Sequence, residues 1–167
     1  AGGRHDDFTV TETSLDTGAP TLPWQRHTGM VTCVATVPGA TQAVSGSTDG
    51  TIRLWDTQSG TCLGSAEVSR LGVFSIAVSP EGSTVAVGSG DGAVREYHLP
   101  GLEPIREMTQ HLGYVRSLGY RHGPWGPEEA VLLSSADDGS IRAWTQMRNQ
   151  WPLGVFTGHR GGEIGRA

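Results

Sequence analysis

Asp49-Gly50-Thr51-Ile52-Arg53-Leu54-Trp55 decides the fold, because the same seven-residue phrase returns twice. It recurs as Asp91-Gly92-Ala93-Val94-Arg95-Glu96-Tyr97 and as Asp138-Gly139-Ser140-Ile141-Arg142-Ala143-Trp144. Each copy reads Asp-Gly, a small residue, a β-branched residue, Arg, a variable residue and an aromatic. The copies lie 42 and 47 residues apart. Residues 121–129, a Gly/Pro-rich insertion with no strand pattern, account for the longer step.

Outward from each phrase the apolar residues fall in short runs. Upstream lie Ala43 to Ser45, Thr84 to Val87 and Val131 to Ser134, and before those Val31 to Val37, Val73 to Val78 and Val115 to Tyr120. Downstream come Cys62-Leu63, Ile105 to Met108 and Leu153 to Phe156. Each unit is therefore four short strands with Asp-Gly at the second hairpin. No segment sustains helical periodicity. The expected fold class is all-β.

The phrase, its spacing, the literal Trp55-Asp56 and the Gly158-His159 pair resemble the WD-repeat family of β-propellers, whose repeats start near Gly-His and end near Trp-Asp. The second unit departs from that pattern, with Ser69 in the His position and Tyr97-His98 at the end. The resemblance implies a partial propeller of four-stranded antiparallel blades. Blades are expected over residues 27–68, 69–110 and 111–158, the last carrying the insertion. Asp7, Gly18 and His27 repeat the spacing of Asp49, Gly60 and Ser69, so residues 1–26 read as the last two strands of a degenerate blade, giving about fourteen strands in all. Residues 159–167 would begin another. An open arc leaves apolar blade faces uncovered, so the chain is expected to be part of a larger, seven-bladed ring, completed by further blades of the same or another chain.

Composition narrows the function. Charged residues are only 17% of the chain and Gly numbers 25, which suits a β protein of tight turns and not a disordered one. The longest apolar runs reach about seven residues, too short for a membrane helix. A net charge of -5 gives no general pull toward nucleic acid or anionic membrane. All twelve cations are Arg, which reads as a coding bias. Cys33 and Cys62 lack metal-ligand spacing and are expected to be buried free thiols. The Ala-Gly-Gly start reads as a processed, tagged or excised piece, and the opening residues lack a signal-peptide pattern, so an intracellular, cytoplasmic setting is expected.

Two sets of side chains imitate catalysis. His27, Ser45 and Asp49 recur as His111, Ser134 and Asp138, followed by Trp55 and Trp144. Read as Ser-His-Asp triads they would be hydrolytic. The resemblance implies instead a buried hydrogen-bonded network tying loop, strand and turn, in which Trp finds a partner for its ring N–H. The repeated Arg53, Arg95 and Arg142 invite a phosphate-binding reading. One per strand around a ring, they are expected to pair with acidic residues or carbonyls. His5, His98 and His122 show no ligand spacing, Asp6-Asp7 and Glu128-Glu129 read as solvated loops, and Gly88 to Gly92 sits in a hairpin turn. No catalytic residue, cofactor or metal site is expected.

Binding must then come from the surface. The family's partner-binding positions on the loop-bearing top face fall on Met30, Thr32 and Thr48, on Gly72, Phe74 and Gly90, and on Tyr114, Arg116 and Asp137. Met30, Phe74, Tyr114, Arg116 and Asp137 are the candidates for contacting other proteins or peptides, since aromatic, Met and Arg side chains dominate binding hot spots. Phe74 could instead pack between blades, and Arg116 could pair with Asp137. Trp125 in the insertion is a second candidate, as an anchor or as a packed lid. The implied function is a non-enzymatic interaction scaffold or adaptor. A sensor or targeting domain of a larger signalling protein, a propeller-borne enzyme or gating domain, and a truncated or engineered repeat chain that closes its ring by oligomerisation remain open.

Overall fold

Val73–Val78 alternates buried and half-buried side chains along its length, as a strand with one covered face must. The adjoining Thr84–Ser89 is buried at every position, as befits a strand with a neighbour on each edge and a layer on each face. The computed structural model describes residues 11–13, 20–23, 27–123, 126–145 and 152–157, and within them there are fourteen strands and no helix. Strands β1 (Thr11–Thr13) and β2 (Pro20–Pro23) pair as a two-stranded sheet. Three four-stranded antiparallel meanders follow: β3 (Val31–Thr36) to β6 (Thr61–Glu67), β7 (Val73–Val78) to β10 (Pro104–Met108), and β11 (Val115–Gly123) to β14 (Gly154–Thr157). Their second and third strands are β4 (Gln42–Ser47) and β5 (Thr51–Asp56), β8 (Thr84–Ser89) and β9 (Val94–His98), and β12 (Gly126–Ala136) and β13 (Ser140–Trp144).

Each Asp-Gly phrase turns the second hairpin. Gly50, Gly92 and Gly139 have φ of 85°, 80° and 76°, a region that disfavours any side chain with a Cβ. The first strands of the three meanders lie side by side, β7 between β3 and β11. Hydroxyls rivet them: Thr32 Oγ1 donates to the Val73 carbonyl at 2.6 Å, and Ser75 Oγ to the Val115 carbonyl at 3.0 Å.

The core sits between sheets rather than inside one. Ile52 and Leu54 of the first meander meet Val85, Val87 and Tyr97 of the second, and Leu102 closes this cluster. On the other face of the second meander, Ala86 and Val94 meet Val115, Leu132 and Trp144 of the third. Small residues make the approach possible. A Cβ at Gly46 would lie 2.5 Å from Val73 Cγ1, and one at Gly88 2.6 Å from Val115 Cγ1.

Two expectations need correcting. The insertion is no strandless loop: β11 and β12 run through it, with Arg121 opposite Val131, His122 opposite Ala130 and Gly123 opposite Gly126. Its Gly and Pro content signals a turn, yet a ladder already started upstream can continue on main-chain bonds alone. Both cysteines are free, but only partly buried. Burial pushes the Cys33 thiol up, against opposing bonds from Thr32 and the Gly46 main chain. Trp125, His5, Asp6, Asp7, Gly18 and the Gly158-His159 pair lie outside the described residues, as do the side chains of His122, Glu128 and Glu129.

Candidate interaction face and the buried networks beneath it

The Asp-Gly turn brings His27, Ser45, Asp49 and Trp55 into one chain of bonds. His27 is 2% exposed, with Nδ1 at 2.9 Å from Asp49 Oδ2 and Nε2 at 2.8 Å from Ser45 Oγ. Trp55 Nε1 donates to the same Ser45 oxygen at 2.8 Å. A neutral imidazole protonated on Nδ1 satisfies every link: Trp donates to Ser, Ser to His, and His to Asp. The third meander repeats the set, His111 lying 3.0 Å from Asp138 and 2.7 Å from Ser134, and Trp144 Nε1 2.8 Å from Ser134 Oγ.

Electrostatics agree with that protonation. Burial lowers both histidines from their ordinary 6.5, outweighing the raising influence of Asp49 or Asp138. Burial alone would raise the Asp49 carboxyl, but bonds from Thr51, His27 and the Thr28 N–H hold it well below the usual carboxylate range. Asp138 behaves alike through Ser140, the Leu112 N–H and His111. Each hydroxyl is consumed by a Trp and a His in the interior (Ser45 0% and Ser134 1% exposed), so neither can reach a substrate. A triad needs an accessible nucleophile.

In the second meander Val87 stands in the Ser position and Tyr97 in the Trp position, so that chain cannot form. Asp91 turns to other partners: Arg95 Nη2 at 2.9 Å and Ser89 Oγ at 2.5 Å. Burial would raise the Asp91 carboxyl, but Arg95, Ser89, the Ala93 N–H and Ser69 bring it down to about 2. Arg95 also reaches Glu107 at 2.7 Å. Arg142 lies 3.7 Å from Asp138. Arg53 departs from the expected pairing, since its Nε is buried without a hydrogen-bond partner among the described residues. Opposite it on β6 stands Ser65, where Arg95 faces Glu107.

The sequence reading missed one polar cluster. Glu96, 4% exposed, accepts from Arg106 Nε and, at 2.7 Å, from the Tyr120 hydroxyl, while Arg106 Nη1 donates to the Thr145 carbonyl at 2.6 Å. These bonds join the second meander to the third. Burial, then the Glu96 charge, pushes the Tyr120 phenol far up, Arg106 opposing. The available signal was Glu96 itself, in a position that is Leu54 in the first repeat and Ala143 in the third.

The five candidate contact residues lie on the loop-bearing end above these networks. Phe74 and Tyr114 stack with ring centroids 5.0 Å apart at 26°, and the Arg116 guanidinium carbon lies 4.9 Å from the Tyr114 centroid and 5.5 Å from that of Phe74. Arg116 also grips Asp137 through two bonds, Nε to Oδ1 at 2.8 Å and Nη2 to Oδ2 at 2.7 Å. Both side chains are about half exposed, and Tyr114 is 38% exposed. Phe74 is half-buried, because Gly72 and Gly90 leave room for its ring. Met30 is 59% exposed on the corresponding loop, where its N–H is held by Thr48 Oγ1. Leu71 and Leu112, at 57% and 92% exposed, stand on the same set of loops and were not singled out from sequence. Among the described residues no cluster of His, Cys, Asp and Glu has metal-binding geometry.

Comparison with known proteins places this geometry. The chain matches the family described as "WD domain, G-beta repeat" over residues 18–56, 60–98 and 102–145. It is 34% identical over 122 residues to zinc finger CCCH domain-containing protein 17 of Oryza sativa subsp. japonica, covering 73% of this chain and 25% of that protein. It is 29% identical over 160 residues to the ribosome biogenesis protein WDR12 homolog of the same plant, covering 93% of this chain and 35% of that one. The solved RRP9 WD40 repeats share the fold at a TM-score of 0.73 and 22% identity, over 81% of this chain and 41% of theirs. The chain thus spans a quarter to about a third of these relatives' lengths. With three matched repeats, each running from the last strand of one sheet through the first three strands of the next, the chain belongs to the WD-repeat family.

Proposed function

We propose that this chain is a non-enzymatic interaction scaffold or adaptor, that its partners are proteins or peptides, and that they dock on the loop-bearing face around Tyr114. The observation that carries this reading is the Phe74–Tyr114–Arg116 stack. It is a preformed aromatic platform whose cation is held in place by Asp137, with exposed Met30, Leu71 and Leu112 on the neighbouring loops. Rigid aromatic area and a fixed guanidinium fork lose little entropy on binding. The blades are taken as residues 27–68, 69–110 and 111–158, with 1–26 and 159–167 belonging to flanking blades of an intracellular seven-bladed ring. Tyr114→Ala should weaken capture of a co-purifying partner at least tenfold, about 1.4 kcal/mol, while the melting temperature moves by no more than a few degrees. A variant that melts much earlier yet binds normally would make Tyr114 a packing residue and remove the reading.

A further inference from the structure

A row of directly opposed residues crosses each meander at its repeated arginine. The rows are Val34–Ser45–Arg53–Ser65, Ile76–Val87–Arg95–Glu107 and Leu118–Ser134–Arg142–Val155. Paired residues share a face, so the last residue of each row stands beside the arginine. Arg95 and Arg142 find carboxylates within their own meanders. Arg95 Nη2 holds Asp91 at 2.9 Å and Glu107 at 2.7 Å, and Arg142 lies 3.7 Å from Asp138. Arg53 has no ion pair among the described residues, and its Nε is buried without a hydrogen-bond partner. Asp49 is already taken, since His27, Thr28 and Thr51 bond both of its oxygens. Glu67, one pair along the same face and opposite Thr51, forms no ion pair with Arg53 either.

Ser65 stands where Glu107 stands in the second meander. It is exposed on the outermost strand, and its hydroxyl makes no hydrogen bond among the described residues. The same number of bonds separates Cβ from a terminal oxygen in glutamate and in phosphoserine. A phosphate on Ser65 therefore reaches Arg53 as Glu107 reaches Arg95. The position stays open when a neighbouring sheet covers this face, because Glu107 is 50% exposed although the first meander packs against the second.

We propose that Ser65 is a phosphorylation site and that Arg53 is the receptor for its phosphate. A protein kinase supplies the group from a nucleoside triphosphate. The bond from Ser65 Oγ to the γ-phosphorus forms, the bond from that phosphorus to the departing nucleoside diphosphate breaks, and the hydroxyl proton passes to the kinase's base. The phosphate adds a charge of about −1.5 to −2 near neutral pH and makes charge-assisted bonds to the Arg53 Nη groups. It ties β6 to β5 as Glu107 ties β10 to β9. The surplus negative charge falls on the outermost strand of the first meander, not on the loops around Tyr114.

The test uses the full chain with phosphoserine incorporated at position 65, followed by phosphorus NMR through a pH titration. Pairing with Arg53 should lower the second phosphate pKa by about one unit, a tenfold change, from the roughly 6 of a free phosphoserine. Arg53→Gln should return it to the free value, and Arg53→Lys, which keeps a cation, should restore part of the shift. Ser65→Glu should raise the urea midpoint above that of Ser65→Gln, and Arg53→Gln should erase the difference. Mass spectrometry of the protein purified from its own cells, with phosphatases inhibited, should find phosphate on Ser65. The proposal is overturned if the phosphate titrates as a free phosphoserine, if Arg53→Gln leaves its pKa unchanged, or if the cellular protein carries no phosphate at Ser65.

Discussion

Replacing Asp138 by Ala removes one carboxylate that holds four donors. His111 Nδ1 at 3.0 Å and the Leu112 N–H at 3.0 Å bond one oxygen, and the Ser140 N–H at 2.9 Å and hydroxyl at 2.7 Å bond the other. These losses differ in weight. Leu112 is 92% exposed, so water can replace its bond at small cost, and the Ser140 oxygen, 3.2 Å from His111 Nδ1, offers that N–H only a partial substitute acceptor. The His111 Nδ1–H and the Ser140 N–H are stranded in the interior, where each unpaired donor costs about 1–3 kcal/mol. The expected loss is about 3–5 kcal/mol, a large share of the stability of a typical domain. Asp138→Asn keeps one acceptor oxygen and should lose about half as much. Asp137→Ala, one residue away and half exposed, should lose far less, because a solvent-facing ion pair contributes little. Urea unfolding followed by tryptophan fluorescence reads all three, provided the slope m is unchanged. If Asp138→Ala costs no more than Asp137→Ala, the buried network does not support the fold, and the triad reading regains its standing.

Acidification should destabilise the chain in two steps. His27 and His111 have folded-state pKa values below the unfolded 6.5, so the unfolded chain binds protons first. Stability is fully present above about pH 6.5 and falls below it, by at most about 1.4 kcal/mol per pH unit for each histidine. The carboxylates follow: Asp91, at about 2 against 3.8 unfolded, contributes above about pH 4 and loses that contribution as pH falls toward 2. Melting temperatures measured between pH 8 and 4 should therefore decline monotonically, and a rise from pH 7 to 5 would contradict the assignment. Separately, Gly88→Val drives a side chain into Val115 and should cost well over 2 kcal/mol, while Gly39→Ala, with nothing within 4 Å of the new Cβ, should cost only the strain of its φ of 72°. Equal losses in urea melts would mean that the sheets do not pack as closely as described.

The architecture was legible because repetition supplies what a single strand cannot. One apolar run such as Val73–Val78 fits a buried strand or a piece of helix, but three runs in register with three Asp-Gly turns fit only a strand ladder. The network residues were legible for the same reason, their types recurring at fixed offsets. What escaped was whatever occurs once. Glu96 pairs with Arg106 ten residues away and with Tyr120 on the next meander, a meeting that no spacing announces. The stack of Phe74 on Tyr114 joins adjacent repeats, so sequence could name both rings without placing one over the other. Leu102 was invisible because only backbone geometry shows that a leucine holds a glycine's conformation.

These single-copy features gather in the second meander, and they are connected. Once Ser69 replaces the His, Asp91 has no imidazole to hold, and Arg95 takes its carboxylate. With no imidazole to accept from it, a buried serine hydroxyl would lack one of its bonds, and Val87 fills that position with apolar bulk inside the seam cluster. Without that serine a Trp N–H would be orphaned. Tyr97 avoids the problem, because its polar atom sits at the tip of the ring rather than on its edge and comes out at the seam. The flanking meanders are tied by Trp–Ser–His chains that end on a carboxylate, whereas the central one is tied by ion pairs that reach Glu107, half exposed. The loss of one network thus propagates through Ser69, Val87, Arg95 and Tyr97 together, and a repeat that looks degenerate in sequence is a second, self-consistent way of satisfying the same turn and the same core.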